Sequence, residues 1–212
     1  MHGMRGAVTA AVRGPLARPL YRGSLALLVN NALRAGSGFP FWVMAARLAP
    51  PEAVGLAAGG IAAAMLVGTV ALPYAVVHLA PQGRSGALSS AVVLGGLAAL
   101  GVGLVFLAGV PLWAPALAGL WASPLQTVSF LPFSLAVALY PQVLNLYVVK
   151  RATGWVVGLG ALEGALKVAL VAPLALWGGA YGLFTAWGMV ALLPGMVGMA
   201  GLALHRREGG LW

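Results

Sequence analysis

The sequence has no cysteine and no aspartate, and only 7% of its residues are charged. Its three acids are Glu52, Glu163 and Glu208, which fall in separate segments. Without cysteine there are no disulfides and no thiolate metal sites. With so few carboxylates, so far apart, a Mg²⁺-dependent lipid-phosphate enzyme has nothing to hold its metal. The three histidines, His2, His78 and His205, are equally scattered, so neither a histidine metal site nor a Ser–His–acid triad is supported. The expectation is a protein that is not an enzyme, with no catalytic residue, cofactor or metal.

What fills the space is hydrocarbon. Hydrophobic residues make up 61% of the chain, and mean hydropathy is +0.97. A soluble chain would need far more charge to cover its surface. The expected fold class is therefore all-α, an integral membrane bundle. The 31 glycines lie mostly within apolar runs, where small residues let membrane helices approach closely. Gly55 with Gly59, and Gly160 with Gly164, form GxxxG pairs.

Six apolar runs are long enough to cross a bilayer, which takes roughly 20 residues each. They are expected at about Leu25–Leu48, Val54–Leu79, Ala87–Val110, Leu125–Val149, Trp155–Trp177 and Ala180–Leu204. The connections carry turn chemistry: Pro50-Pro51-Glu52, the Pro81–Gly86 loop, the basic Lys150–Gly154 turn and Gly178-Gly179. Pro111–Pro124, with Trp113 and Trp121, is expected as an interfacial loop or short surface helix. Residues 1–22 are expected as a basic cytoplasmic arm on anionic headgroups, with a transit-like sequence as the alternative. Residues 205–212 are expected as a basic tail.

The cations decide orientation. With the amino terminus inside, Arg5, Arg13, Arg18, Arg22, Arg84, Lys150, Arg151, Arg206 and Arg207 share one side, and Arg47 alone falls on the other. The formal charge of +9 thus reads as the positive-inside rule, with both termini cytoplasmic, and not as affinity for nucleic acid. The expected location is the cell (inner) membrane, multi-pass, with membrane lipids as neighbours.

Polar residues inside the spans are the candidate site. Arg34 lies within the first run, with Asn30 at i−4 and Asn31 at i−3 on one helix face, and Pro40 offers a hinge beyond Gly36 and Gly38. A cation so placed faces a partner or a watery cavity, or it snorkels to the headgroups. Gln142 and Asn145 are i,i+3 neighbours in the fourth run, available for bonds between helices or for lining a cavity. Glu163 and Lys167 are i,i+4 with the acid first, the favourable order for a structural pair. Glu163 is also the only acid inside a span, hence the only candidate for a protonatable coupling group.

The segment Ala45-Ala46-Arg47-Leu48-Ala49-Pro50-Pro51-Glu52-Ala53-Val54-Gly55 resembles the end of the first helix in polysaccharide-type flippases. These belong to the multidrug/oligosaccharidyl-lipid/polysaccharide superfamily. The resemblance continues in the short basic loop after the second run, the KRATG turn and the GGAYGLFTAW entry into the sixth run. It covers most of the chain from Leu25 to Leu204 and resembles the amino-terminal six-helix lobe of a family that carries two lobes. The resemblance implies a fragment or remnant with a second six-helix half elsewhere, or a chain that works as a homodimer. An even helix count allows a parallel two-fold pair. The resemblance implies flipping or export of a lipid-linked saccharide. Arg34 would meet the phosphate, and Asn30 and Asn31 the phosphate or sugar hydroxyls. Two other classes remain open. One is a drug/cation antiporter of the same superfamily. The other is a non-transporting membrane subunit or remnant that packs with a partner.

Overall fold

In a computed structural model the protein is all-helical over the residues the structure describes, 19–70, 78 and 85–207. We number the helices α1 (Pro19–Leu48), α2 (Pro51–Thr69), α3 (Ser85–Trp113) and α4 (Pro124–Val149). A 3₁₀ helix, Pro115–Trp121, joins α3 to α4. The last helical element, Thr153–Arg207, is broken at Gly179 into α5 (153–178) and α6 (180–207).

Four helical stretches are long and apolar enough to cross a membrane: Pro51–Thr69, Ser90–Trp113, Pro124–Val149 and Thr153–Leu204. Six spans were expected. α1 is not among the four, because Asn30, Asn31 and Arg34 dilute its apolar run. It also begins earlier than expected, at Pro19, and so takes in Arg22. The fourth stretch, 52 residues, would reach about 78 Å if straight, far beyond a hydrocarbon core of roughly 30 Å. Gly179 resolves this with φ 53° and ψ −123°, a conformation open to glycine that folds the stretch into a hairpin. The return is visible in its contacts. Gly198 meets Leu159, Gly201 meets Trp155, and the Lys167 ammonium sits over Trp187.

The remaining contacts give each helix a direction. α1 runs parallel to α5, since Gly160 packs on Asn30 and Gly164 on Ser37. α4 runs parallel to α6, with Phe133 against Gly188 and Val143 against Gly198. α2 follows them, as Gly60 meets Phe184 while Gly68 meets Val137. α3 opposes α4, with Gly103 near Leu131 and Gly96 near Leu135. Successive helices thus alternate in direction.

Local chemistry explains the ends. Pro51 begins α2 where its missing N–H costs nothing, and Glu52 places a negative charge on the helix's positive end. At α4 the Gln126 N–H donates to Ser123 Oγ at 3.4 Å, and the Ser123 N–H donates to Gln126 Oε1 at 3.2 Å. That reciprocal cap satisfies two donors that would otherwise be lost in the membrane. The expected interfacial segment is the 3₁₀ helix. It does more than lie on the surface, because Leu120 is buried against Gly60 and Trp121 packs edge-on to Phe106 and Phe130.

The outer surface is apolar, with Leu28, Leu94, Val105, Leu125, Leu176 and Trp177 exposed. A water-soluble protein would pay heavily for such a belt, whereas lipid chains match it. The expected bend at Pro73, the Arg84 loop, the arm up to residue 18 and the tail beyond Arg207 lie outside the described residues.

Candidate functional site: an ionic triad at a cavity between helices

Two glycines bring α1 against α5. A Cβ at Gly160 would fall on Asn30 Oδ1, and one at Gly164 would come within 3.3 Å of Ser37 Cβ. The second GxxxG pair therefore seats a helix, whereas Gly55 of the first pair has open space around it. This close approach sets Arg34 opposite Glu163.

Glu163 is held from both sides. Its Oε1 lies 2.9 Å from Lys167 Nζ on the same helix, and its Oε2 lies 2.8 Å from Arg34 Nε on α1. The Arg34 contact is close but off-axis, an ion pair with no aligned hydrogen bond at Nε. Lys167 Nζ also donates to the Arg34 carbonyl oxygen at 3.3 Å, and Ser37 Oγ donates to the same oxygen at 3.0 Å. Glu163 is 4% exposed and Lys167 3%, whereas the Arg34 side chain is 37% exposed. Burying one acid between two cations offsets much of the cost of removing each from water. It also leaves one formal positive charge, carried on the more open member, Arg34.

Each cation lies over a ring. The Arg34 guanidinium carbon is 5.5 Å from the Tyr140 ring centre, and Lys167 Nζ is 4.8 Å from that of Trp187. Tyr140 is fixed by its hydroxyl, which donates to the Leu159 carbonyl at 3.3 Å. Trp187 is fixed edge-on against Phe41. Arg34, Tyr140, Glu163 and Trp187, but not Lys167, border a cavity of about 200 Å³ whose walls also include Thr69 and Pro141. Those six come from α1, α2, α4, α5 and α6, so the cavity sits where five helices converge.

The structure brings together Arg34, Glu163 and Lys167, with Asn30 one turn before Arg34. Asn30 is 3% exposed, and its Oδ1 makes no hydrogen bond. Asn31, next in sequence, points away and is exposed. Gln142 is buried and Asn145 half-buried, both in α4, and neither lines the cavity. Pro40 is half-buried within α1, which continues through it, and the following Phe41 is fully buried against Val171 and Leu183. Sequence reasoning passed over Tyr140 and Trp187 as site residues. The one signal was the Tyr140-Pro141 step inside a span, since Trp187 reads as ordinary core. Among the described residues, no group of histidine and acidic side chains is placed to hold a metal.

No protein-family model, curated protein or solved structure matches this chain. What stands on structure alone is a multi-pass helical membrane protein with an ionic triad at a cavity between helices.

Proposed function

We propose that the chain is one lobe of a membrane transporter for an anionic lipid-linked substrate, in the manner of the lipid-linked polysaccharide and oligosaccharide flippases that its sequence resembles. One observation carries this reading: the Arg34–Glu163–Lys167 triad has a surplus positive charge, and its most exposed member borders a cavity inside a membrane bundle. Glu163 and Lys167 are buried, whereas the Arg34 side chain, which carries the surplus charge, is 37% exposed. A phosphate oxygen fits that guanidinium as a charge-assisted hydrogen-bond acceptor. At about 200 Å³ the cavity is smaller than common small-molecule sites of about 300–1,000 Å³. It suits the phosphate and its first substituents, not a whole saccharide. In this reading six spans place both termini in the cytoplasm of the cell membrane, and a second six-helix half, or a second copy of the chain, closes the transport path.

A second reading has one specific support. Both oxygens of Glu163 are taken by cations, and such a clamp is also what a structural pin between α1 and α5 would look like. In that case the chain is a non-transporting subunit or remnant packing with a partner.

The test uses purified protein in liposomes and a fluorescent polyprenyl-diphosphate saccharide. Transport or binding that disappears in Arg34→Gln protein of normal yield, and weakens only partly in Arg34→Lys, supports the transporter reading. Arg34→Gln protein that binds and flips the probe at the parent level overturns it.

A further inference from the structure

A second cavity, of about 220 Å³, lies across Tyr140 from the first. It opens between α4 and α6, bounded by Leu135, Leu139, Val143, Gly195, Met196 and Met199. The two cavities share Tyr140 and Ala191 as a common wall. They differ in chemistry. The first contains Arg34 and Glu163, while the second is lined by aliphatic and thioether groups apart from the face of Tyr140. Met196 and Met199 are 60% and 52% exposed on the outer face of α6, so this groove opens sideways toward lipid. Tyr140 itself is buried, its hydroxyl is tied to Leu159 and its ring faces the Arg34 guanidinium.

We propose that the groove between α4 and α6 holds the hydrocarbon chain of the lipid phosphate whose anionic group binds beside Arg34, with Tyr140 dividing head from chain. This inference rests on the lipid-linked substrate reading. An amphiphile is the one class of ligand that uses both compartments. The surplus charge of the triad calls for an anion, and the apolar groove calls for hydrocarbon. A chain in that groove stays continuous with the bilayer, so binding need not expose it to water. Methionines at the mouth adapt to a chain of irregular shape. Tyrosine, apolar in body and polar at its tip, suits a wall between the two. Gly195 keeps the groove open beside that wall, with 3.9 Å between the site of its absent side chain and Tyr140 Cβ.

The experiment uses protein in nanodiscs of phosphatidylcholine and a farnesyl phosphate bearing a diazirine at the chain end. Cross-links are mapped by mass spectrometry, and affinity is measured for farnesyl phosphate and for inorganic phosphate. The expected result is labelling of Leu139, Met196 or Met199 that unlabelled farnesyl phosphate competes away, and that farnesol does not. Gly195→Leu, which fills the groove, should weaken farnesyl phosphate on the order of tenfold while leaving inorganic phosphate within about twofold. Labelling of the groove that persists in Arg34→Gln, or that farnesol competes equally, overturns the proposal and makes the groove an ordinary lipid contact. Farnesyl phosphate binding that needs Arg34 but ignores Gly195→Leu also overturns it, yet leaves the transporter reading standing. Loss of all farnesyl phosphate binding in the parent protein sinks both.

Discussion

Arg34 Nε and Glu163 Oε2 meet at 2.8 Å, joining the first long helix to the fifth through the same carboxylate that Lys167 holds by its other oxygen. The two helices can come this close because Gly160 and Gly164 carry no side chains toward α1. The triad is therefore a product of packing, and its members are not equivalent. Glu163 answers two cations, while each cation answers one acid.

That asymmetry predicts unequal costs. Glu163→Gln leaves two cations facing each other inside the bundle, and it should destabilise the protein by about 3–5 kcal/mol. Arg34→Gln leaves the Glu163–Lys167 pair intact and removes a partly exposed group, so it should cost about 1 kcal/mol or less. Denaturation in mixed detergent micelles measures both. Equal losses for the two variants would mean that Glu163 does not bridge the cations.

A charge swap separates the three-body arrangement from a simple pair within one helix. If Glu163 and Lys167 answered only each other, exchanging them would restore most of the stability lost by either single change. With Arg34 opposite position 163, the exchange sets a second cation against the guanidinium. The combined Glu163→Lys, Lys167→Glu variant should remain at least as unstable as Glu163→Gln, and adding Arg34→Gln should recover part of the loss. Full rescue by the swap alone would show that Arg34 contributes nothing.

These relationships mark how far the sequence could be read. Apolar runs, Pro-Pro-Glu, the Lys150–Gly154 turn and Gly178-Gly179 announce helices and breaks locally, because each rests on the chemistry of a few adjacent residues. Four of the six expected runs, those of α3, α4, α5 and α6, appear as helices close to their expected bounds, while α2 ends at Thr69, short of the expected Leu79. The start of α1 was hidden, because Arg22 reads as the edge of an arm when only hydropathy is considered. The Glu163–Lys167 pair was legible from its spacing. Its third member was not, since nothing in a one-dimensional pattern says which face of α1 meets which face of α5. Asn30 and Asn31 show the same limit. A rotation of about 100° per residue separates a buried amide from an exposed one.

The glycine seat under Asn30 gives a third prediction. Gly160→Ala places a methyl on Asn30 Oδ1, and overpacking of this kind should cost about 1–3 kcal/mol. Trimming the opposing side chain in the double variant, Gly160→Ala with Asn30→Ala, should recover at least half of that loss. Thermal unfolding in detergent, followed by tryptophan fluorescence, provides the measurement. A Gly160→Ala protein that melts with the parent would mean that α1 and α5 do not approach as closely as described.

The hairpin at Gly179 gives the fourth. Helices that alternate in direction place residue 179 at one end of the bundle, and Gly201 beside Trp155 at the other. A reporter active only in the cytoplasm, fused after Arg207, should therefore be active, and the same reporter inserted at Gly179 should be silent. The charge pattern gives the sign, since Lys150, Arg151, Arg206 and Arg207 cluster at the Trp155 end, and cations are retained on the cytoplasmic side. The hairpin also depends on backbone conformation. With φ at 53°, Gly179→Ala should cost about 1–2 kcal/mol without reversing either reporter, because the apolar lengths of both arms still require a return. Reporter signals of the same sign at 179 and 207 would mean that the last helical element crosses the membrane once or not at all, and the alternating bundle would then be wrong.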